Sequence, residues 1–232
     1  MKKHAGFGPR GTGAIYAIDP ATGTSALYAD LNAIFGPGTA GADPHAGNGG
    51  DFGRDNGDAA WDAVGKTSLG GLEVSPDGSM LFVINLADRR LYALPTSGLL
   101  TPGTVRRVDM PAAPGATGGG ADLRPFALQW HRGRLYVGLV NTAQSTQQAS
   151  DLRAYVYGVT PSTLAFDASP ALQFSLAYPR GEVQRSQAGG NAAWRPWVAG
   201  FRTASPTPEA IGLYPQPMLT GLAFDADGNM IL

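Results

Sequence analysis

Residues 71–83 read GLEVSPDGSMLFV, with an apolar alternating run, a turn around Pro76, Asp77 and Gly78, and a second β-rich run. This arrangement is typical of a β-hairpin. Residues 221–232 repeat it as GLAFDADGNMIL, and residues 128–137 form a shorter-turned relative, LQWHRGRLYV. Self-similarity of this kind indicates a protein built from repeated units.

A second element recurs in alternation with the hairpin. Residues 15–23 (IYAIDPATG) match residues 91–98 (LYALPTSG), and residues 156–163 (VYGVTPST) are a looser copy. In each copy a strand runs into a turn rich in Pro, Thr or Gly, and a further strand follows. Two hairpins in series make a four-stranded antiparallel blade, the unit of a β-propeller. The ordered recurrence of two different elements favours a propeller over a β-sandwich.

The repeats predict an all-β fold, a partial β-propeller of about three to four four-stranded antiparallel blades in one domain over residues 1–232. Its predicted parts are a half-blade (13–30), a long loop (35–66), two blades (70–110 and 125–178), a long loop (179–217) and a half-blade (218–232). Propellers typically need four to eight blades to close, so we expect an open arc with uncovered apolar faces at its ends. Helical periodicity is absent, although residues 58–64 are long enough for one turn.

Composition excludes several classes of protein. The 17 basic and 18 acidic residues give a net charge of -1, which offers no electrostatic attraction for nucleic acid or an anionic membrane. The chain has no cysteine, so disulfides, thiolate metal sites and cysteine nucleophiles are excluded. No stretch approaches the ~20 apolar residues of a membrane span. Residues 1–6 are not followed by the apolar run that is typical of a signal peptide.

Motifs for catalysis are also absent. The sequence has no G-x-S-x-G, no H-E-x-x-H and no phosphate-binding loop. Histidine is sparse, and His131, in a hairpin turn, is expected to be exposed. The residues therefore predict a chain that is not an enzyme.

The loop at 35–66 is a candidate calcium site. The candidate ligands in this loop, set among many glycines, are Asp51, Asp55, Asn56, Asp58 and Asp62. Calcium favours hard oxygen ligands on a flexible backbone. Their spacing does not match the helix-loop-helix calcium pattern. The alternative is a solvated loop whose Asp and Asn side chains bond to their own backbone.

The loop at 179–217 is a candidate partner-binding segment. It contains Trp194, Arg195 and Trp197, with further arginines nearby. Trp and Arg dominate binding hot spots, and arginine stacks on indole rings. The alternative is that both tryptophans anchor the loop onto the propeller face.

Residues 71–83 resemble the blade hairpin of gluconolactonase-type and related six-bladed propellers, including the YVTN type. In the calcium-dependent lactonases an Asn stands just before the Gly-Leu pair and an Asp follows the second strand. The matching positions here are Gly70 and Asn85, and the later copy has Thr220. The resemblance implies the fold and argues against the enzyme.

A resemblance over nearly the whole chain rests on residues 4–9 (HAGFGP), 61–66 (WDAVGK), 194–197 (WRPW) and 214–220 (YPQPMLT). These segments resemble the propeller-like region of large bacterial surface proteins that carry serine–aspartate-repeat B-like, immunoglobulin-type domains. The resemblance implies a secreted or cell-surface location, an adhesive or binding role, and further blades and immunoglobulin-type domains in the full-length protein. It implies no catalytic residue.

We therefore expect a non-enzymatic propeller segment that binds a protein or glycan at the cell surface or builds the envelope, with calcium as its one candidate cofactor. The strand positions facing a central channel are mostly apolar or small, which favours binding over catalysis. Two alternatives stay open. One is a fragment of a propeller hydrolase or quinoprotein-like oxidoreductase with catalytic groups in other blades; the other is an intracellular scaffold.

Overall fold

The computed structural model describes residues 10–44, 60, 62–180, 193–200 and 214–232. Within these ranges the chain is all-β, with thirteen strands in four antiparallel sheets. Sheet 1 contains β1 (Ala14–Ile18) and β2 (Ser25–Asp30). Sheet 2 contains β3 (Leu69–Val74), β4 (Met80–Asn85), β5 (Arg90–Pro95) and β6 (Arg106–Asp109). Sheet 3 contains β7 (Leu123–His131), β8 (Arg134–Asn141), β9 (Arg153–Thr160), β10 (Ala165–Phe166) and β11 (Leu172–Ser175), and sheet 4 contains β12 (Ala223–Phe224) and β13 (Met230–Ile231).

Sheet 2 is a meander in which each strand pairs with the next one along the chain, in the order β3-β4-β5-β6. Its turn between β3 and β4 closes around Asp77, whose carboxylate accepts hydrogen bonds from the hydroxyls of Ser75 and Ser79. Gly78 provides the left-handed backbone conformation that the turn requires, with φ of 70°. Local turn chemistry therefore forms the hairpin that the sequence predicts.

Sheet 3 follows the same design with one difference at its outer edge. Its order is β7-β8-β9-β10, and β11 also pairs with β9. The outer strand is divided because Pro170 has no N–H for the ladder, while Asp167 turns its side chain to Arg134, 2.5 Å away. The prediction of four strands thus becomes five, two of which share one edge.

The sheets stack face to face in chain order, and strand β4 shows why. It is apolar at successive positions, so it buries side chains on both faces. Leu81 and Val83 pack with sheet 1 and its neighbouring helix, while Phe82 and Ile84 pack with sheet 3. Sheet 4 covers the other face of sheet 3, where Leu222 and Phe224 lie against Ala127 and Tyr136.

The first strands of successive sheets are direct neighbours. A Cβ atom on Gly71 of β3 would lie 2.6 Å from the carbonyl oxygen of Phe126 in β7. A Cβ on Gly138 would lie 2.7 Å from Leu219, just ahead of sheet 4. The backbone N–H of Ala127 donates to the carbonyl of Leu219. Glycine at these positions therefore permits the close approach of sheets 2, 3 and 4.

Two local features differ from expectation. Helix α1 (Leu31–Phe35) follows β2, because the Asp30 side chain accepts hydrogen bonds from the backbone N–H groups of Asn32 and Ala33 and caps the first turn. His131, which the sequence predicts to be exposed, is only partly exposed, because its ring stacks on Phe224 at a centroid distance of 4.2 Å.

A membrane-crossing helix is not found in the described part of the chain.

Candidate functional site

The calcium prediction falls mostly outside the described residues. Asp51, Asp55, Asn56 and Asp58 lie there, and only Asp62 belongs to the described chain. Asp62 lies near Lys66, since its negative charge acts to raise the pKa of that ammonium group. The described ranges contain no cluster of three or more His, Cys, Asp or Glu side chains that could hold a metal ion. The calcium site therefore stays a prediction.

The predicted partner-binding trio divides into two parts. Trp197 is only 1% exposed, its indole N–H donates to the carbonyl of Pro217, and its backbone N–H donates to Thr142. It is an anchor of its segment, in line with the anchoring alternative, and its contact with a partner stays an untested prediction. Trp194 is partly buried and Arg195 is exposed. These two remain candidates for contact with a partner.

Two cations lie against the Trp197 ring. The Lys66 ammonium is 5.8 Å and the Arg124 guanidinium 5.9 Å from the ring centroid. Lys66 also donates to the carbonyl of Val198 at 2.8 Å. The ring fits here because residue 65 is glycine; a Cβ atom on Gly65 would lie 2.6 Å from the indole.

The register of sheet 2 places a third cation, Arg89, at the same end of the sheet as Lys66. Pairing of Leu69 with Asn85 sets the start of β3 beside the end of β4, and Arg89 lies in the turn that follows. Arg89 donates to the carbonyl of Ala121 at 2.5 Å, just ahead of Arg124 at the start of β7. We call Lys66, Arg89 and Arg124 the cationic cluster.

The cationic cluster is electrostatically strained. Burial lowers the pKa of Arg124, and the nearby charge of Arg89 lowers it further, opposed by Asp122. Burial likewise lowers the pKa of Lys66, with a further contribution from Arg124. The Nε of Arg124 is buried and has no hydrogen-bond partner within the part of the chain that the structure describes. Partly buried like charges disfavour their own ionised forms, and a negatively charged acceptor beside Arg124 would offset this effect.

The nearest carboxylate, Asp122, is engaged elsewhere. One of its oxygens accepts hydrogen bonds from the Thr117 hydroxyl and from both the backbone N–H and the hydroxyl of Ser145. Burial acts to raise the pKa of Asp122, but these hydrogen bonds outweigh it and hold the pKa below the usual range. Asp122 therefore holds two loops together and forms no hydrogen bond with Arg124 in the described chain.

An open cavity of about 420 Å³ adjoins the cationic cluster at Arg89. Asp88 also lines it, and burial raises the pKa of that carboxyl although Tyr92 and the backbone of Arg90 donate hydrogen bonds to it. The remaining wall comes from Asp109 at the end of β6, from residues 110–112 that follow it, and from residues 119–121 and 123. The cavity supplies room for a small ligand or for one side group of a larger one.

The two positions that match the lactonase ligands have structural roles here. Asn85 is fully buried, its amide nitrogen donates to the carbonyl of Thr39, and its amide oxygen accepts from the backbone of Ala87. A Cβ atom on Gly70 would lie 3.0 Å from the Leu86 side chain and 3.2 Å from the carbonyl oxygen of Phe126. Both positions therefore serve packing of the sheets.

Sequence reasoning did not single out the cationic cluster. Its members are separated by 23 and 35 residues and share no motif. The one available signal is Arg124, a charged residue between Leu123 and Pro125 in a strand that is otherwise largely apolar. Charged side chains are rarely buried without a partner, which marks such a position for attention.

Comparison with known proteins gives a distant similarity. Family models do not match the chain. Colossin-A from Dictyostelium discoideum is 26% identical to it over 227 residues, which cover 97% of this chain and 2% of that protein. The chain thus spans about 2% of the length of this relative, and the similarity relates it to a small part of a much longer protein.

Proposed function

We propose that the chain is a non-catalytic binding module made of β-propeller blades, part of a secreted or cell-surface protein, and that its cationic cluster binds a carboxylate group of a protein or glycan partner. The observation that carries this proposal is the partly buried Arg124 side chain, whose Nε is buried and finds no hydrogen-bond acceptor among the described residues. A buried donor without a partner costs about 1–3 kcal/mol, and more when it is charged. Such a group is favoured when a ligand supplies the acceptor.

The arrangement of the sheets supports the propeller. Sheets 2 and 3 are antiparallel meanders, and the first strands of sheets 2, 3 and 4 are successive neighbours through Gly71 and the bond from Ala127 to Leu219. Blades of a propeller pack in this way, with their first strands around a central axis. The cationic cluster lies at the start of the first strands β3 and β7, beside the turn that follows β4.

The charges favour a carboxylate over a doubly charged anion. Carboxylates of the chain itself already accompany the three cations: Asp62 lies near Lys66, Asp122 near Arg124, and Asp88 beside Arg89 in the cavity wall, so a singly charged ligand suits the site better than a doubly charged one. A guanidinium presents paired N–H groups that match the two oxygens of a carboxylate. Trp194 and Arg195, on the segment that Trp197 anchors, would extend the contact with a larger partner.

The test is titration of the whole chain with two carboxylate probes, oligoglutamate and polygalacturonate, followed by calorimetry. Arg124→Gln is expected to weaken binding of the preferred probe about tenfold or more, because a charge-assisted hydrogen bond contributes about 1.5–3 kcal/mol. Arg10→Gln is the matched control, since it removes the same charge from an exposed position. Equal weakening by both substitutions, or no binding of either probe, would contradict the proposal.

A stability measurement separates ligand binding from a structural role. If Arg124 serves a ligand, Arg124→Met should leave the free energy of unfolding unchanged or raise it, because a partly buried charge with an unbonded Nε is removed. If Arg124 only stabilises the fold through its contact with Trp197, the same variant should be less stable. Urea denaturation without ligand distinguishes the two results.

The non-catalytic part of the proposal has its own test. Glu73 accepts a hydrogen bond from the backbone of Trp130, and Asp77 accepts hydrogen bonds within its turn, so both candidate acids have structural partners. We expect no lactone hydrolysis by the purified chain above background. Turnover that disappears in Glu73→Gln or Asp77→Asn would overturn this expectation.

A further inference from the structure

The cavity of about 420 Å³ beside the cationic cluster is lined by charges of both signs. The carboxylates of Asp88 and Asp109 lie in its wall together with the Arg89 guanidinium. Asp88 and Arg89 belong to the turn between β4 and β5, and Asp109 is the last residue of β6. Because Arg90 at the start of β5 pairs with Asp109, the register of sheet 2 sets this turn beside the end of β6 and brings the two carboxylates to one cavity.

Both carboxylates can accept further hydrogen bonds. The Asp109 side chain is 77% exposed; one of its oxygens accepts from the Nε of Arg90 at 2.6 Å, and the other accepts no hydrogen bond from the described residues. Asp88 accepts one hydrogen bond on each oxygen, from the backbone N–H of Arg90 and from the Tyr92 hydroxyl. A carboxylate has about four acceptor positions, so each residue has room for a donor from a ligand.

Arg89 has N–H groups to spare for an acceptor. One of its terminal nitrogens donates to the carbonyl of Ala121, and this is its one hydrogen bond within the described residues. A guanidinium carries five N–H groups, so the others can bind a ligand. Arg124 follows Ala121 by three residues, and its Nε also lacks an acceptor in the described chain. Donors that suit a carboxylate therefore lie next to acceptors that suit hydroxyl groups.

The rest of the wall leaves room for a ring. Gly119 and Gly120 have φ angles of 62° and 90°, and a Cβ atom on either would meet nothing within 4 Å, so this side of the cavity is bare backbone. Met110, Pro111 and Leu123 add apolar surface on which the C–H groups of a sugar ring can pack. The volume lies within the range of about 300–1,000 Å³ that is typical of small-ligand sites.

We propose that this cavity binds a hexuronate unit of an acidic glycan, a sugar that carries a carboxylate as well as several hydroxyl groups on one ring. Its carboxylate accepts hydrogen bonds from Arg89 and Arg124, and its hydroxyl groups donate to Asp88 and Asp109. This inference rests on the proposed function, since it uses the cationic cluster for the carboxylate, and it names the class of the partner.

The charges favour an acidic glycan over an acidic peptide. A glycan of this kind offers one carboxylate on each sugar, and the hydroxyl groups around it are donors for the two aspartates. An acidic peptide offers carboxylates and backbone carbonyls, which are acceptors, and few hydroxyl groups. Asp88 and Asp109 would repel its additional charges, because like charges placed opposite each other weaken binding.

Calorimetric titration of the whole chain with three probes separates the two parts of this recognition. Trigalacturonate has carboxylates and hydroxyl groups, its methyl ester has the hydroxyl groups without the charges, and N-acetylated, amidated triglutamate has the charges without sugar hydroxyl groups. We expect trigalacturonate to bind about tenfold or more tightly than either of the others, because a hydrogen bond to a charged group contributes about this factor.

Asp109→Asn tests the hydroxyl contact. It should weaken trigalacturonate binding about tenfold, since a charged acceptor becomes a neutral amide. It should leave triglutamate binding unchanged or strengthen it, since a repelling charge is removed. Asp227→Asn is the matched control, because it makes the same change at an exposed residue in the turn between β12 and β13, and it should change neither affinity.

Ala112→Phe tests the cavity without altering a charge. Ala112 lines the cavity and is exposed, so a phenyl ring there fills space that the sugar needs. We expect it to weaken trigalacturonate binding about tenfold or more through steric exclusion. Ala26→Phe, at an exposed position of β2, is the control and should bind as the wild type does. Thermal unfolding of each variant confirms that it is folded.

The inference and the proposed function fail in different ways. Triglutamate that binds as tightly as trigalacturonate, with both affinities reduced in Arg124→Gln, would overturn the glycan and keep the carboxylate site, with an acidic peptide as its partner. Equal effects of Asp109→Asn and Asp227→Asn, or wild-type binding by Ala112→Phe, would also overturn the glycan site. Equal binding of trigalacturonate and its methyl ester, or no binding of any probe, would overturn the proposed function itself.

Discussion

Asn85 and Asn141 occupy the same position in two different sheets: each is the fully buried last residue of a second strand. Asn85 donates to the carbonyl of Thr39, and Asn141 donates to the carbonyls of Gly115 and Asp151. Thr39 and Gly115 both belong to the segment that precedes the sheet in question. The repeat therefore includes a side-chain amide that fastens each complete sheet to the chain before it.

We expect Asn85→Ala and Asn141→Ala to lower the free energy of unfolding by about 1–3 kcal/mol each, because they leave buried backbone groups without partners. Urea denaturation gives the change. Gln173→Ala, which removes an exposed amide, is the control and should stay within about 0.5 kcal/mol of the wild type. Wild-type stability of both Asn variants would show that these bonds do not hold the sheets.

Gly71 and Gly221 make a matched pair for close packing. A Cβ atom on Gly71 would lie 2.6 Å and 2.8 Å from backbone atoms of Phe126 and Leu128, whereas nothing lies within 4 Å of one on Gly221. We expect Gly71→Ala to destabilise the chain by about 1–3 kcal/mol through overpacking. Gly221→Ala should be neutral or slightly stabilising. Equal thermal midpoints for the two variants would contradict the close approach of β3 and β7.

The turn at Asp77 predicts an acid-dependent loss of stability. Hydrogen bonds from Ser75 and Ser79 lower the pKa of Asp77 from 3.8 to about 2. Because the folded-state pKa is depressed, the stabilisation is fully present above the unfolded value and is lost as pH falls through about 2. Wild type and Asp77→Asn should therefore converge in stability between about pH 4 and 2. A difference that stays constant across this range would contradict the assignment.

Calcium binding by the 35–66 loop is tested by thermal unfolding with calcium and with a chelator. If the loop binds calcium, the ion should raise the midpoint, because a ligand bound only to the folded chain stabilises it. The combined variant Asp51→Asn, Asp55→Asn, Asp58→Asn should lose this shift, since carboxylates are the preferred calcium ligands. An unchanged wild-type midpoint would leave the solvated-loop alternative.

The sequence by itself determined the hairpins and their order. Alternation of apolar residues and the turn around Asp77 and Gly78 act over a few residues, so β3 and β4 form where residues 71–83 predict them. Local sequence also carried the Asp30 cap of α1, although this signal is too short to stand out among turn-forming residues.

The tertiary structure alone decided which chemically similar positions are buried and which charges meet. Leu72 and Leu128 occupy the same place in the repeat, yet only Leu128 is covered, because burial depends on the neighbouring sheet. The residue type of Trp197 predicts a contact with a partner, but in the structure this residue is buried and anchors its own segment, because burial depends on the neighbouring segments. Lys66, Arg89 and Arg124 come close to one another only when sheets 2 and 3 pack. Interactions between charges that are distant in the sequence produce no regular spacing of residues, so the sequence does not predict this cluster.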